Sequence, residues 1–318
     1  MKNKISFIEI ENFKTFDRLK IDGFKRVNLI SGKNNLGKTA LLEAIRLNLS
    51  SINPQNLVNT IRDIFNKRSN NIEFDFFNKE DKEIVIFSDF KKNKMLYNKK
   101  ENLQVVDFFI DEKNYQMSTK DLMQGGILLN QYMIDKINFI STKSIDVHYL
   151  SNLYATLVAI GKDDFLDKSL QIFDNNILTI RQTIQGVPSF RVKTNDREKP
   201  MLLNSLGDGI NRFMAIICAI WASQDGYLFI DEVENGIHYT NYSKLWKIIF
   251  EVSKEANCQV FATTHSKECI EAFNKQNQDN EAAFIELYKN KKDEIVAKVR
   301  DFEQLEYSLT HGGSFRGE

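Results

Sequence analysis

Apolar positions fall into three successive arrangements along the chain. Near the start, Ile5, Phe7 and Ile10, with Phe13 and Phe16, flank a polar stretch at residues 11–15. Residues 26–31 (RVNLIS) then form a short apolar run of the buried-strand type, and residues 40–49 carry apolar side chains at helical spacing. This reads as strand, turn, strand, loop, helix. From Ile72 to about Ser118 the period changes to two: IEFDFF, EIVIFSDF, VVDFFIDE and NYQMS are separated by Lys, Asn and Asp, the mark of antiparallel hairpins. Residues 137–141 predict another short strand. Leu153, Leu157, Ile160, Leu166, Leu170 and Phe173 are spaced as on helices, so residues 145–178 read as a helical lobe. Alternation returns at 177–183 and 189–194. The last third predicts helix 209–221, strand 227–230, helix 241–256, strand 259–263 and helix 267–274, closed by a hairpin at 283–287 and 295–300. Strands alternating with helices imply parallel βα units. No internal repeat, low-complexity tract or sustained heptad pattern is present.

Composition narrows the class. The chain has 318 residues, 42% hydrophobic and 27% charged, with 14 Gly and 3 Pro, which excludes a disordered or collagen-like chain. The longest apolar run, residues 213–222, is about half of what a membrane span needs. The opening MKNKISFIEIENFK has no apolar core of a signal peptide, so a cytoplasmic protein with no membrane partner is expected. Cys218, Cys258 and Cys269 are too scattered for a disulfide scaffold or a zinc site, and four histidines leave little room for a His-rich metal site. Lys plus Arg balance Asp plus Glu at 43 each, which argues against a strongly basic nucleic-acid binder.

Four short motifs carry chemistry. Residues 32–39, GKNNLGKT, fit GxxxxGK[ST] between a predicted strand and a predicted helix. Glycines at this spacing let backbone N–H groups curl around a phosphate at a helix N-terminus, where the dipole favours negative charge. Gly32, Asn34, Asn35, Gly37, Lys38, Thr39 and Ala40 are the candidate phosphate-binding positions; Lys38 would reach the β- and γ-phosphates and the Thr39 hydroxyl would ligate Mg²⁺. The apolar strand YLFI ends in Asp231 and Glu232, which places Asp231 to hold Mg²⁺ and Glu232 to orient or deprotonate an attacking water. Ser205, Gly207 and Gly209 precede a helix and form a second anion-binding type of turn, equally readable as a capped helix start. Strand 259–263 leads to His265, placed at the end of a sheet where ligands of parallel sheets bind.

These motifs, in this order, resemble the ABC-type ATPase heads of the RecF, SMC and OLD group. The opening IEIENFKTFDRLKI is similar to the lead-in of RecF-like heads. ISGKNNLGKTALLEAI, LNSLGDGINRF, LFIDEVENGIHYTNYSKLW and QVFATTHSKECIEAF resemble bacterial OLD-like AAA family ATPases. The resemblance implies an α/β P-loop NTPase: one ABC-type head over residues 1–318, with a mixed central sheet, an antiparallel β lobe at 72–118 and the helical lobe at 145–178. It implies ATP and Mg²⁺ as cofactors, with Lys38 and Thr39 in Walker A, Asp231 as the Mg²⁺-binding acid and Glu232 as the catalytic carboxylate. His265 matches the switch histidine. Ser205, Gly207 and Gly209 match a signature loop that acts across a head-to-tail ATP-dependent homodimer. Glu234, Asn235 and His238 occupy the D-loop, and Lys14 lies where a basic residue approaches the nucleotide.

Two features depart from that pattern. The predicted strand at 137–141 leads into Thr142 and Lys143 with no Gln to complete the Mg²⁺ or water shell, so slow hydrolysis is expected. After His265 only 53 residues remain, too few for the Toprim nuclease that follows OLD-type ATPases. The expected effector is therefore a separately encoded partner, a Toprim-like nuclease or a toxin, in a phage-defence role. A RecF-like DNA-binding clamp is the alternative; its candidate basic surface is Lys91, Lys92, Lys94, Lys99 and Lys100, which otherwise read as solvated hairpin turns. A transporter subunit fits least, since the signature is not LSGGQ.

Overall fold

Every residue of the strand Val27–Gly32 is buried, and the rest of the fold is arranged around it. The structure is a computed structural model that describes residues 4–52, 54–68, 83–90, 92–100, 103–110, 113–118, 136–143, 145–277 and 280–311. The strands are β1 (Phe7–Phe13), β2 (Phe16–Asp22), β3 (Val27–Gly32), β4 (Ile84–Ser88), β5 (Lys92–Lys100), β6 (Leu103–Ile110), β7 (Lys113–Ser118), β8 (Ile137–Ile140), β9 (Ile177–Gln185), β10 (Val187–Thr194), β11 (Met201–Leu202), β12 (Tyr227–Ile230), β13 (Gln259–Thr263), β14 (Ala282–Lys289) and β15 (Ile295–Arg300). The helices are α1 (Lys38–Ser50), α2 (Pro54–Arg68), α3 (Val147–Ala159), α4 (Asp163–Phe173), α5 (Asp208–Ala222), α6 (Tyr242–Glu255), α7 (Lys267–Gln276) and α8 (Phe302–Thr310).

The central sheet runs β15-β14-β3-β13-β12-β8. All its pairs are parallel except the edge pair β14–β15. Strands β3, β12 and β13 are buried from end to end, as parallel strands covered on both faces must be. Successive side chains point to opposite faces, so each strand feeds two cores. Leu29, Val260 and Ala262 enter the core built with α3 to α6, β9 and β10. Ile30 and Phe261 enter the core built with α1, α2 and the antiparallel sheet β2-β1-β4-β5-β6-β7. A small sheet, β11-β10-β9, borders the first core.

Helix α1 lies between two sheets and is buried along its length except at Thr39. A helix enclosed this way must satisfy its polar side chains internally. Glu43 pairs with Lys14 of the β1–β2 turn, and Arg46 with Asp63 of α2. The Asn48 amide donates to the Ile86 carbonyl (3.3 Å) and accepts from Ser88 Oγ (2.5 Å), both on β4. The three cysteines are buried, and burial pushes each thiol well above its ordinary range, so none is a ready nucleophile. No helix among the described residues is long and apolar enough to cross a membrane.

In the last third, elements match the predicted bounds within two residues. Elsewhere the structure departs from the pattern. The antiparallel sheet is not confined to 72–118: β1 pairs with β4 (Ile8 opposite Ser88, Ile10 opposite Ile86) and carries the N-terminal hairpin into it. The lysine-rich run is not a set of turns; residues 92–100 form β5, hydrogen-bonded to β4 and β6. Two neighbouring ladders supply backbone partners there, which outweighs the weak β-propensity of Lys and Asn. Lys91 and the IEFDFF segment lie outside the described residues. Helices α2 and α8 are not among the predicted elements, although Leu57, Val58, Ile61 and Ile64 on α2 and Phe302, Leu305 and Leu309 on α8 have helical spacing.

The buried Lys14–Glu43 pair generates a stability prediction. Lys14→Met should cost about 3 kcal/mol by leaving Glu43 charged and buried, and adding Glu43→Leu should restore most of it. Urea unfolding of both variants checks this; a double variant as unstable as the single one would contradict it.

Candidate active site

The site is assembled at the C-terminal ends of β3, β12 and β13. Strand β3 runs into the loop 33–37, and α1 starts at Lys38 with Gly37 as its N-cap. Asn35 (φ 62°) and Gly37 (φ 83°) are left-handed, the backbone curl in which successive N–H groups converge on an anion. Gly37 has a second reason to lack a side chain: a Cβ there would stand 2.5 Å from Thr15 Oγ1 and 2.8 Å from the Phe16 ring. The β1–β2 hairpin therefore presses directly on the loop. No side chain caps α1 and no acid occupies its first turn, which leaves that N-terminus suited to a phosphate.

Lys38 folds back over the loop. Its Nζ donates to the carbonyls of Gly32 (2.7 Å) and Lys33 (2.9 Å). Burial lowers its pKa to about 8, opposed by the nearby charges of Asp231, Glu232 and Glu234. Thr39 Oγ1 lies 3.0 and 3.2 Å from the two Asp231 carboxylate oxygens. This hydroxyl and carboxylate are adjoining hard oxygen donors, the chemistry that suits Mg²⁺ when phosphate oxygens and water complete its shell. No group of three or more His, Cys, Asp or Glu that could hold a metal occurs among the described residues.

Glu232 follows at the end of β12 with φ 52°, a left-handed conformation that costs a non-glycine residue on the order of 1 kcal/mol or more. Its surroundings hold it there. The Glu232 N–H donates to Thr263 Oγ1 (2.8 Å), and its carbonyl accepts from Arg212 Nη2 (2.8 Å). The half-exposed carboxylate then meets His265 Nε2 at 3.2 Å. Thr263 Oγ1 also donates to Asp231 Oδ1 (2.7 Å), so one hydroxyl ties both acids in place.

Arg212, on α5, crosses to the same strand ends. Its guanidinium donates to the carbonyls of Ser141 (2.8 Å), Asp231 (2.6 Å) and Glu232 (2.8 Å). Burial lowers its pKa, countered by Glu234, Asp231 and Glu232. The segment after β8, where the pattern lacks a Gln, is thus fixed through its backbone: Ser141 by Arg212, and Thr142 by the Asn235 amide (2.7 Å).

The structure brings together Lys38, Thr39, Asp231, Glu232 and His265. Ala40 lies inside the buried helix, and Asn34 and Asn35 are exposed on the loop. Ser205 sits in an exposed 3-10 turn ahead of α5; Gly207 (φ 96°) is the helix N-cap, with no side-chain cap. Gly209 packs against its own chain: a Cβ would stand 2.7 Å from the Gly236 carbonyl. His238 is exposed, its Nδ1 3.0 Å from Thr240 Oγ1. Lys14 is buried in its pair with Glu43. Arg212 and Thr263 were given no role by the sequence pattern. Their signals were present: a lone cation inside an apolar helix, and a polar residue ending a fully buried strand.

Comparison with known proteins shows the family and the fold. A family model described as an AAA ATPase domain matches residues 3–157 and 150–270. The chain belongs to the AAA ATPase domain family. This AAA ATPase is accordingly an ATP-hydrolysing enzyme, of a family that implies ATP binding. It is 28% identical to an ATP/GTP phosphatase of Helicobacter pylori, over 95% of this chain and 97% of that protein. A 47-residue stretch, 15% of the chain, is 43% identical to the uncharacterized protein MJECL10 of Methanocaldococcus jannaschii, covering 22% of it. The fold is that of SMC-type ABC heads. An SMC head bound to the C-winged helix domain of ScpA superposes with TM-score 0.57 at 12% identity, over 94% of this chain and 98% of that one. An SMC head with an extended coiled coil, bound to the C-terminal domain of ScpA from Pyrococcus furiosus, gives 0.53 at 11% identity, over 96% and 98%.

The lowered Lys38 pKa predicts a pH dependence of nucleotide binding. A phosphate partner requires the ammonium form, which Lys38 loses as the pH rises through about 8. Affinity for Mg-ATP should therefore be constant below about pH 8 and then fall by up to about tenfold per pH unit. Calorimetric titration between pH 7 and 9.5 measures it. Lys38→Arg, which stays charged, should flatten the profile; an unchanged fall in that variant would assign it to another group.

Proposed function

We propose that this AAA ATPase is a nucleotide-driven switch: two copies close head to tail around two ATP molecules, and closure gates a separately encoded effector protein. The observation that carries this reading is the wiring of α5. Its N-terminus at Gly207 is exposed and has no side-chain cap, although Asp208 puts one acid in the first turn, while Arg212 one turn further in holds the carbonyls of both acids at the end of β12. An anion captured at that free N-terminus would act through the same helix on the hydrolytic carboxylate.

Within one copy, Lys38 and the loop amides would cradle the phosphates, and Thr39 with Asp231 would hold Mg²⁺. When bound, the ion supplies charge neutralisation on the phosphate oxygens. Glu232 would accept the proton of the attacking water, with His265 keeping the carboxylate oriented until the γ-phosphate arrives. In the partner copy, Ser205 and the amides at Gly207 and Gly209 would cap the same γ-phosphate. Closure would need ATP on both faces, and hydrolysis would release it.

The effector is expected to be a Toprim-like nuclease or a toxin, by resemblance to OLD-like systems and their phage-defence role. SMC heads that share the fold are themselves solved with a protein partner bound.

Two measurements test the reading. Glu232→Gln should abolish turnover while leaving Mg-ATP binding intact, and light scattering should then show its mass doubling on adding Mg-ATP. Wild-type turnover in that variant would remove Glu232 from the chemistry. A mass unmoved by Mg-ATP in a variant that binds it would overturn the head-to-tail closure.

A further inference from the structure

The segments leaving β12 and β13 are sewn together at three successive levels. The Glu232 N–H donates to Thr263 Oγ1 (2.8 Å), and the Val233 N–H to the Thr263 carbonyl (2.9 Å). At the third level the link is a side chain. Glu234 Oε1 accepts from the backbone N–H groups of His265 (2.7 Å) and Ser266 (3.2 Å). Ser266 is the N-cap of α7, its hydroxyl accepting from the Cys269 N–H (3.1 Å), so the carboxylate sits where the helix dipole favours it.

Two buried polar atoms beside this link have no hydrogen-bond partner among the described residues: Glu234 Oε2 and His265 Nδ1. The imidazole is therefore not steered by a bond to its own second nitrogen. Its backbone N–H is held by Glu234, and the next one, at Ser266, is shared between Glu234 and Thr264 Oγ1 (3.1 Å). On the other side, residues 234–237 form a tight turn closed by the Ile237 N–H to the Glu234 carbonyl (3.0 Å), and the Gly236 carbonyl of that turn is the surface against which Gly209 of α5 packs.

We infer that Glu234 is a positioning residue: it sets His265 against Glu232 and links that pair to the N-terminus of α5 through the 234–237 turn. A shift of that N-terminus moves the turn, the turn moves the carboxylate, and the carboxylate carries the two amides on which the imidazole hangs. The inference rests on the proposed roles of Glu232 and His265.

A double-mutant cycle with steady-state ATP turnover tests it. Glu234→Ala should lower kcat by about tenfold or more while KM stays within about twofold, the signature of an interaction that serves the chemical step. Glu234→Gln, whose amide oxygen can accept both N–H groups, should retain kcat within about threefold. In a His265→Ala background, Glu234→Ala should change kcat by less than about twofold, because residues that act as a unit are non-additive. The same loss from Glu234→Ala with and without His265 would show a merely structural role and overturn the inference. So would a Gln variant as impaired as the Ala variant. Failure of the underlying site is read separately: His265→Ala turning over at the wild-type rate would remove His265 from the mechanism, whatever Glu234 does.

Discussion

Helix α1 must be buried along nearly its whole length and yet leave its first turn open. The remainder of the architecture depends on this constraint. Burial comes from the central sheet on one side and the antiparallel sheet on the other. It is tolerable only because Glu43, Arg46 and Asn48 each find a partner on a different neighbour: the β1–β2 turn, α2 and β4. Those contacts fix the helix along its axis and in rotation. The first turn is then presented at a fixed point relative to the ends of β12 and β13, which is what lets the Thr39 hydroxyl reach Asp231.

The open end is held by a different device. Backbone carbonyls that a strand end leaves without ladder partners are gathered by a few side chains. Arg212 takes three of them, Asn235 takes another, and the Thr263 hydroxyl serves two acids at once. Each of these bonds is worth little alone, but all lie in a buried or half-buried setting where losing one leaves an unpaired group. The site is thus rigid where geometry matters and free at the loop amides and at the exposed α5 N-terminus.

Much of this was legible in the chain itself. The strands 227–230 and 259–263 carry continuous apolar runs between turn residues, and their bounds follow from that alone. The phosphate loop declares itself through glycine spacing. What could not be read is equally physical. Arg212 acts on backbone carbonyls and Glu234, placed in the D-loop by resemblance alone, on backbone N–H groups, which nearly every residue possesses, so no partner type or spacing marks their targets; Thr263 reaches one backbone N–H and the Asp231 carboxylate. The pairing of β1 with β4 joins residues about 80 positions apart, and β5 draws its strand character from neighbours rather than from its lysines. Helix α2 carries Leu57, Val58, Ile61 and Ile64 at helical spacing, and all four are buried in the core it shares with α1; this signal was present in the chain and was not read.

The left-handed backbone of Glu232 has an evolutionary consequence. Glycine, or to a lesser degree asparagine, would relax this residue and stabilise the fold, yet either would delete the carboxylate. On the proposed role of Glu232, selection for durability and selection for turnover pull this one position in opposite directions. A lineage that kept the nucleotide-binding scaffold but no longer needed hydrolysis would be free to drift toward glycine or asparagine here. The identity of this residue in any relative is a record of which demand prevailed.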